Sequence, residues 1–250
     1  MIGMGTTIFL VNPQTFGGGS SFTNEKSLLF DGVDEYVTVG AISEITSATA
    51  FSVSQWVKVT TTSVGQFIWR RGASGNQIAL QYNASNILIF FIEGNTTYAS
   101  STSSPLTINT WHNVTVVYDG TQGTANDRAV IYVDGVDVTN THNGTHPTST
   151  SSNTNTMNIG ANNTGGQPWN GNIDEFAFYD YALTSGQVTS IFNSGTPTDL
   201  DNTSGVTAPV HWWRMGDSDT YPTITDVGTT GGNDGTMTNM ESGDIVTDTP

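Results

Sequence analysis

The feature that most constrains this sequence is a series of short segments in which apolar and polar residues alternate. In the run 111–118, for example, Val114 and Val116 fall on one face. A second run, 129–133, leads directly into an Asp-Gly dipeptide at 134–135. Alternation with a period of two is typical of half-buried strands, and Asp-Gly between two such runs indicates a β-hairpin. These patterns predict antiparallel strands.

Similar runs recur along most of the chain. They include Leu28 to Phe30, Phe51 to Val59, Ile78 to Tyr82, Ile87 to Ile92 and Ile173 to Tyr179. Only 11% of residues are charged, and Gly, Ser, Thr and Asn are abundant. That composition suits strands joined by turns and does not suit helices. We therefore predict an all-β fold.

One short helix is predicted near residues 184–194. Thr184 and Gln187 have the spacing of a capping box, and an apolar stripe containing Val188 follows them. Gly195 is suited to the C-terminal cap. By contrast, the Thr-, Asn- and Ser-rich segment 139–155 is expected to be a solvated loop.

The charge balance excludes some classes of partner. The net charge of −16 arises from 22 Asp and Glu against six Lys and Arg. Such a chain repels nucleic-acid phosphates and favours hard cations such as calcium. There is no Cys, so no disulfide or thiolate metal site is possible.

The ends of the chain suggest how it is organised. Residues 1–11 do not resemble a secretory signal, and no stretch reaches transmembrane length. We expect synthesis in a cytoplasm, no signal peptide and no membrane insertion. Residues 1–26, with a Gly- and Ser-rich stretch at 16–21, are predicted to be an N-terminal arm that is either a disordered tail or a docking segment. Residues 27–250 are predicted to form one domain.

Six segments carry a resemblance to a known family when they are taken in order. They are SLLFDGVDEYV (27–37), FSVSQWV (51–57), WHNVTVVYDG (111–120), IYVDG (131–135), NIG (158–160) and GNIDEFAFYDYALT (171–184). These segments resemble motifs of laminin-G-like, concanavalin A-like jelly rolls. The resemblance implies a two-sheet antiparallel jelly-roll sandwich.

The C-terminal segment is unusual for such a domain. HWWRMGD (211–217) and NDGTMTN (233–239) resemble strands that normally come first in the family. Either the domain is circularly permuted, with 206–250 supplying the usual first strands, or this segment completes a neighbouring subunit. The ending also resembles structural proteins of tailed bacteriophages.

The family includes glycoside hydrolases, but the sequence lacks their motif. Those enzymes carry Glu-x-Asp-x-(x)-Glu on one strand, so that two carboxyl groups flank the glycosidic bond. Here Asp174 and Glu175 are adjacent, and in a regular strand they point to opposite faces. We therefore expect no enzymatic activity.

Calcium is the cofactor that the resemblance implies. In the family, a structural calcium often joins the Phe-Asp-Gly turn to the Ile-Asp-Glu strand. The corresponding ligands here are Asp31, Asp34, Asp174 and Glu175. The alternative is that the Asp residues only cap turns or bond to backbone amides.

A glycan site requires exposed aromatic rings beside amide or carboxyl groups. The candidate residues are Trp69, Gln81, Tyr82, Asn95, Tyr98 and Trp169.

The favoured function is that of a non-enzymatic virion protein, either a capsid decoration or a tail-fibre component. It would contact other virion proteins through the arm and form a homo-oligomer. The alternative is a carbohydrate-binding module that recognises host surface glycan, and a weaker alternative is a glycoside hydrolase.

Overall fold

A computed structural model describes residues 22–73 and 75–250. Strands dominate this part of the chain, and they pack as two antiparallel sheets around an apolar core. In chain order the strands are β1 (Ser27–Asp31), β2 (Tyr36–Ala41), β3 (Ala50–Val59), β4 (Gln66–Arg71), β5 (Ile78–Tyr82), β6 (Leu88–Ile92), β7 (Tyr98–Ser101), β8 (Trp111–Asp119), β9 (Ala129–Val133), β10 (Val136–Asp137), β11 (Thr139–Asn143), β12 (Thr156–Ile159), β13 (Asn170–Tyr179), β14 (His211–Trp213), β15 (Thr223–Ile224), β16 (Gly235–Thr238) and β17 (Ile245–Val246).

The described strands divide into two sheets of nearly equal size. The first sheet has the order β10-β9-β8-β3-β13-β1-β17, and β14 also pairs with β13. The second sheet has the order β11-β7-β6-β5-β4-β12-β2-β16-β15. This arrangement confirms the predicted jelly-roll sandwich.

The core lies between the sheets and is rich in aromatic rings. Phe51 of β3 stacks on Phe178 of β13, with ring centroids 5.7 Å apart. It also meets Phe90 of the opposite sheet edge-on at 6.1 Å. Because inward residues alternate with outward ones along each strand, these rings fill the space between the sheets.

The predicted hairpin at 134–135 is confirmed. Asp134 and Gly135 both have positive φ, at 51° and 77°, and Val133 pairs with Val136 across the turn. Two central residues with positive φ define the turn type that matches the twist of paired strands. The pairing of β5 with β6 is confirmed as well.

The helix α1 (Ser185–Phe192) is the predicted one. Thr184 and Gln187 make the capping box in both directions. The C-terminal cap differs from the prediction, because Asn193 and not Gly195 takes the left-handed position directly after the helix. Asn tolerates this conformation through its short polar side chain.

A second apolar cluster lies on the outer side of the first sheet. There the helix and the chain that follows it cover outward residues of β8, β13 and β14. The cluster contains Val117, Ala177, Tyr179, Leu183, Val188, Ile191, Leu200 and Trp212. The first sheet is therefore covered on both faces over this area.

The C-terminal segment contributes to both sheets of its own chain. Trp212 of β14 pairs with Ala177 of β13, and Ile245 of β17 pairs with Leu28 of β1. In the second sheet, β16 pairs with β2.

The prediction of a solvated loop over 139–155 is wrong for residues 139–143 and for His146. Residues Thr139–Asn143 form the edge strand β11, because they pair with β7. His146 is fully buried, and its Nε2 lies 3.2 Å from Nδ1 of His142. Within the described ranges, no helix combines the length and apolarity needed to cross a membrane.

Candidate binding cleft

The last residues of the predicted arm pack against the domain. Phe22 stacks on Trp212 with ring centroids 6.3 Å apart, and the Arg214 guanidinium lies 4.5 Å from the Phe22 ring. Arg214 also donates to the carbonyl oxygen of Thr23. The rest of the arm, residues 1–21, lies outside the described residues.

The prediction that Asp174 and Glu175 point to opposite faces is wrong. The register between β13 and β3 shifts between Asp174 and Ala177, and Glu175 has a φ of +46°. This β-bulge interrupts the alternation of side chains. Both carboxyl groups consequently bond to partners on the outer side of the first sheet, Asp174 to Asn24 and Glu175 to Trp212.

These two carboxyl groups belong to a polar network centred on Arg214 and Asn24. Arg214 donates to Glu175 from Nε and Nη2, at 3.1 Å each, and to Asp217 at 2.8 Å. Burial, followed by the neighbouring Glu175, raises the pKa of Asp174 well above its usual value. Burial also raises the pKa of Glu175 to about 7, against the opposing effect of Arg214. The bonds from Arg214 to Thr23 and from Asn24 to Asp174 hold the Phe22 end of the arm against the sheet.

The structure does not bring the four predicted calcium ligands together. Asp31 pairs with Asn170, which precedes Asp174 by four positions on β13, so the two are about 13 Å apart along the strand. Oδ1 of Asp31 accepts from the backbone N–H of Val33, and Asp34 is exposed. Among the described residues, no group of three or more His, Asp or Glu side chains is placed to hold a metal. Calcium binding stays a prediction from the resemblance.

Three of the predicted glycan residues belong to the core. Trp69, Tyr82 and Trp169 are fully buried and cannot stack on a sugar, so their assignment to an exposed site is wrong. Trp69 is buried because the register of β4 shifts between Phe67 and Trp69, which turns the tryptophan inward. Tyr82 faces inward opposite Leu88.

The other three predicted glycan residues are partly or fully exposed near one face. Gln81 and Tyr98 lie on the outer side of the second sheet, on β5 and β7. Tyr98 meets Phe91 edge-on at 5.7 Å. Asn95 lies in the turn before β7, and its Oδ1 accepts from Gln77.

A cleft of about 250 Å³ opens on the outer side of the first sheet. Its floor is made by Val117 of β8 and Val130 of β9, and Leu183 closes the side next to the helix. Tyr132, which is half-buried, supplies an aromatic wall. The apolar part of the cleft is therefore held by rigid strands.

The rim of the cleft is polar. Asp119 ends β8, and Gln122 and Asp127 come from the turn and short 3₁₀ segment between β8 and β9. Thr184 comes from the start of the helix. Oδ1 of Asp119 accepts from the backbone N–H and hydroxyl of Thr121, and Gln122 bonds to Oδ2. Desolvation opposes the ionisation of Asp119, but these hydrogen bonds together outweigh it and lower the pKa of the carboxyl group, so it is ionised at neutral pH.

None of the predicted site residues lies in this cleft. The rim residues 119–127 and the helix start at 184 are far apart in sequence and meet only through the fold. Tyr132 alternates with buried neighbours in β9, which is a signal for an outward position. No local pattern shows that the helix leaves this tyrosine uncovered on one side.

Two packed antiparallel sheets, with a small cleft on an outer face, define a lectin-like β-sandwich. The chain belongs to the laminin-G family described as the concanavalin A-like lectin/glucanases superfamily, whose profile matches residues 31–189. No curated protein sequence matches the chain.

Several solved structures share the fold at low sequence identity. A proposed carbohydrate-binding protein from Bacteroides ovatus has a TM-score of 0.64 at 18% identity, covering 88% of this chain and 60% of its own. The full extracellular region of zebrafish Gpr126/Adgrg6 has a TM-score of 0.56 at 16% identity, covering 90% and 26%. The heptameric SAP-like pentraxin of Limulus polyphemus has a TM-score of 0.50 at 16% identity, covering 88% and 98%. The chain therefore spans 60% of the length of the Bacteroides protein.

Proposed function

We propose that this protein is a non-catalytic carbohydrate-binding module and that it binds sugar in the cleft beside Tyr132. The observation that carries the proposal is the composition of the cleft, which combines an apolar floor, an aromatic wall and a rim of hydrogen-bonding groups. Small-molecule sites are typically concave and apolar, with a few well-placed polar groups.

The chemistry of the cleft suits a sugar ring. A tyrosine face offers an apolar surface to the C–H groups of a sugar, while carboxylate, amide and hydroxyl groups can bond to its hydroxyls. Asp119 is held in place by three hydrogen bonds, so its orientation is fixed before a ligand binds. Preorganisation of this kind lowers the entropic cost of binding.

The same geometry supports a role without catalysis. A glycosidase needs a carboxyl group that stays protonated at working pH, which burial usually achieves. In the cleft, Asp119 has a lowered pKa and Asp127 is exposed. Two carboxyl groups with a raised pKa, Asp174 and Glu175, are buried away from the cleft, where Asp174 bonds to Asn24 and Glu175 to Arg214.

The shared fold of the Bacteroides ovatus protein, which is itself a proposed carbohydrate binder, supports the class of ligand. A position in a virion, contacts through residues 1–26 and self-association stay predictions of the sequence.

The test is a screen of immobilised glycans followed by titration calorimetry with the best hit. Tyr132→Ala is expected to weaken binding at least tenfold, because it removes the aromatic wall. Tyr98→Ala is the matched control, since it removes an outward tyrosine from the opposite sheet.

Circular dichroism and thermal melting establish that both variants fold. Loss of binding in the Tyr98 variant, with binding intact in the Tyr132 variant, would overturn the proposal and place the site on the second sheet. If no glycan binds the wild-type chain, the proposal fails.

A further inference from the structure

The electrostatics of the cleft point to a narrower class of ligand. Resting on the proposed function, we infer that the cleft selects sugars with a free amino group over neutral or acidic sugars. Among the described residues, the lining includes two carboxylates and no Lys, Arg or His. An ammonium group on a bound sugar would supply the missing positive charge.

Neither carboxylate is neutralised by the protein. Within the described ranges, Asp119 and Asp127 form no ion pair with a cationic side chain. The three donors to Asp119 are neutral backbone, hydroxyl and amide groups, so they orient the carboxylate without cancelling its charge. The cleft therefore presents to a ligand two carboxylates that no described ion pair neutralises.

Arg128, the cationic residue nearest to Asp127 in sequence, bonds to groups other than the two carboxylates. Arg128 donates from Nε to the carbonyl oxygen of Gln122 and from Nη1 to that of His146. Both acceptors are backbone oxygens, and neither belongs to the carboxylates on the rim. The guanidinium thus stabilises the segment between β8 and β9. It forms no ion pair with Asp127, so that carboxylate can bind a ligand.

Charge at longer range acts in the same direction. The chain carries a net charge of −16, which attracts cationic ligands and repels uronic or sialic acids. This long-range effect is screened by salt within about 10 Å at 0.1 M. A direct ammonium–carboxylate hydrogen bond is less sensitive to salt, and a gain of about 1.4 kcal/mol corresponds to a tenfold preference.

The experiment compares four trisaccharides on the full chain by titration calorimetry at pH 6, in 0.05 M and 0.5 M NaCl. The probes are the trimers of glucosamine, N-acetylglucosamine, glucose and galacturonic acid. We expect the glucosamine trimer to bind roughly tenfold more tightly than the neutral trimers. The galacturonic acid trimer should bind most weakly.

Asp127→Asn removes one charge from the rim and should reduce the preference for the glucosamine trimer over the neutral trimers several-fold. Asp34→Asn is the matched control, because it makes the same change at an exposed turn far from the cleft. It should leave the preference intact at both salt concentrations.

The outcomes separate this inference from the proposed function. Equal affinity for the glucosamine and glucose trimers, both abolished by Tyr132→Ala, would overturn the inference and leave sugar binding standing. An equal effect of Asp34→Asn would assign the preference to net charge and would also overturn it. Absence of binding by all four probes, together with an empty glycan screen, would overturn both.

Discussion

Nδ2 of Asn24 donates a hydrogen bond to Oδ2 of Asp174 at 2.8 Å. The bond joins the end of the N-terminal arm to the centre of β13. Because Asp174 is fully buried, its carboxyl group depends on this partner and on the backbone N–H of Glu175. The same contact fixes the point at which the arm meets the sandwich.

Asn24→Ala should therefore destabilise the protein. It removes a donor from a buried carboxyl group, and an unsatisfied buried group costs about 1–3 kcal/mol. Urea denaturation at pH 7 measures the change. Glu25→Ala is the control, because the hydrogen bond from Glu25 to Asp217 comes from its backbone N–H, which the substitution keeps. An Asn24 variant as stable as the control would show that this bond does not secure the arm.

Stability should decrease as the pH rises from about 5 to 8. Burial raises the pKa of Glu175 to about 7 and that of Asp174 well above its usual value. A carboxyl group with a raised folded-state pKa releases its proton more readily when the chain is unfolded. Its contribution is therefore complete below the unfolded-state pKa and is lost as the pH rises through the folded-state value. Urea midpoints at each pH measure this decrease.

Asp174→Asn should make that decrease smaller. The amide cannot ionise, and Asn24 can turn its unpartnered buried Oδ1 toward the new N–H. A residual decrease is expected, because burial also raises the pKa of Glu35 to about 7. If the variant shows the full wild-type dependence on pH, Asp174 does not titrate in this range.

His146 should make the protein less stable as the pH falls below about 6.5, which is the opposite pH dependence to that of the buried carboxyl groups. Burial, then the neighbouring His142 and Arg128, lowers the pKa of His146 to about 4. A histidine with a lowered folded-state pKa binds its proton first in the unfolded chain. The contribution of neutral His146 to stability is therefore fully present above the unfolded-state pKa of 6.5, and it is lost as the pH falls toward 4.

His146→Leu tests this dependence. The variant should be at least as stable as the wild type at pH 7, because Nδ1 of His146 is buried without a described partner. It should lose less stability than the wild type between pH 6.5 and 4.5. Parallel acid profiles for the two proteins would contradict the prediction.

Two glycines should respond to alanine in opposite ways. At Gly171 of β13, φ is +139° and a Cβ would collide with the carbonyl oxygen of Lys58 in β3. Gly171→Ala should lower the free energy of unfolding by roughly 3 kcal/mol or more, since both the backbone strain and the clash are fixed by paired strands.

At Gly186 in α1, a Cβ would meet no atom within 4 Å. Gly186→Ala should stabilise by about 0.5–1 kcal/mol, because glycine is a poor helix former. Thermal melting should show a lower melting temperature for Gly171→Ala and a higher one for Gly186→Ala than for the wild type.

The elements that sequence could predict are those whose cause is local. The Asp134-Gly135 hairpin follows from two residues that accept positive φ, and the helix start follows from the Thr184–Gln187 capping box. Each of these needs only neighbouring residues. The order of the six family-like segments added the jelly-roll class, and the match over residues 31–189 supports it.

The candidate site could not be predicted in this way. Whether Trp69 or Tyr132 is exposed depends on which sheet face each strand turns toward the core and on what covers the other face. A register shift in β4 buries Trp69, and a bulge at Glu175 brings two adjacent carboxyl groups to one face.

The sequence by itself determined that the chain forms antiparallel strands in a laminin-G-like sandwich, because alternation and turn residues act over a few positions. Tertiary structure decided where the candidate binding cleft lies on the surface. The cleft exists only where the segment 119–127, the strand residue Tyr132 and the helix start at Thr184 meet. Such a meeting depends on contacts between distant segments, which no local pattern encodes.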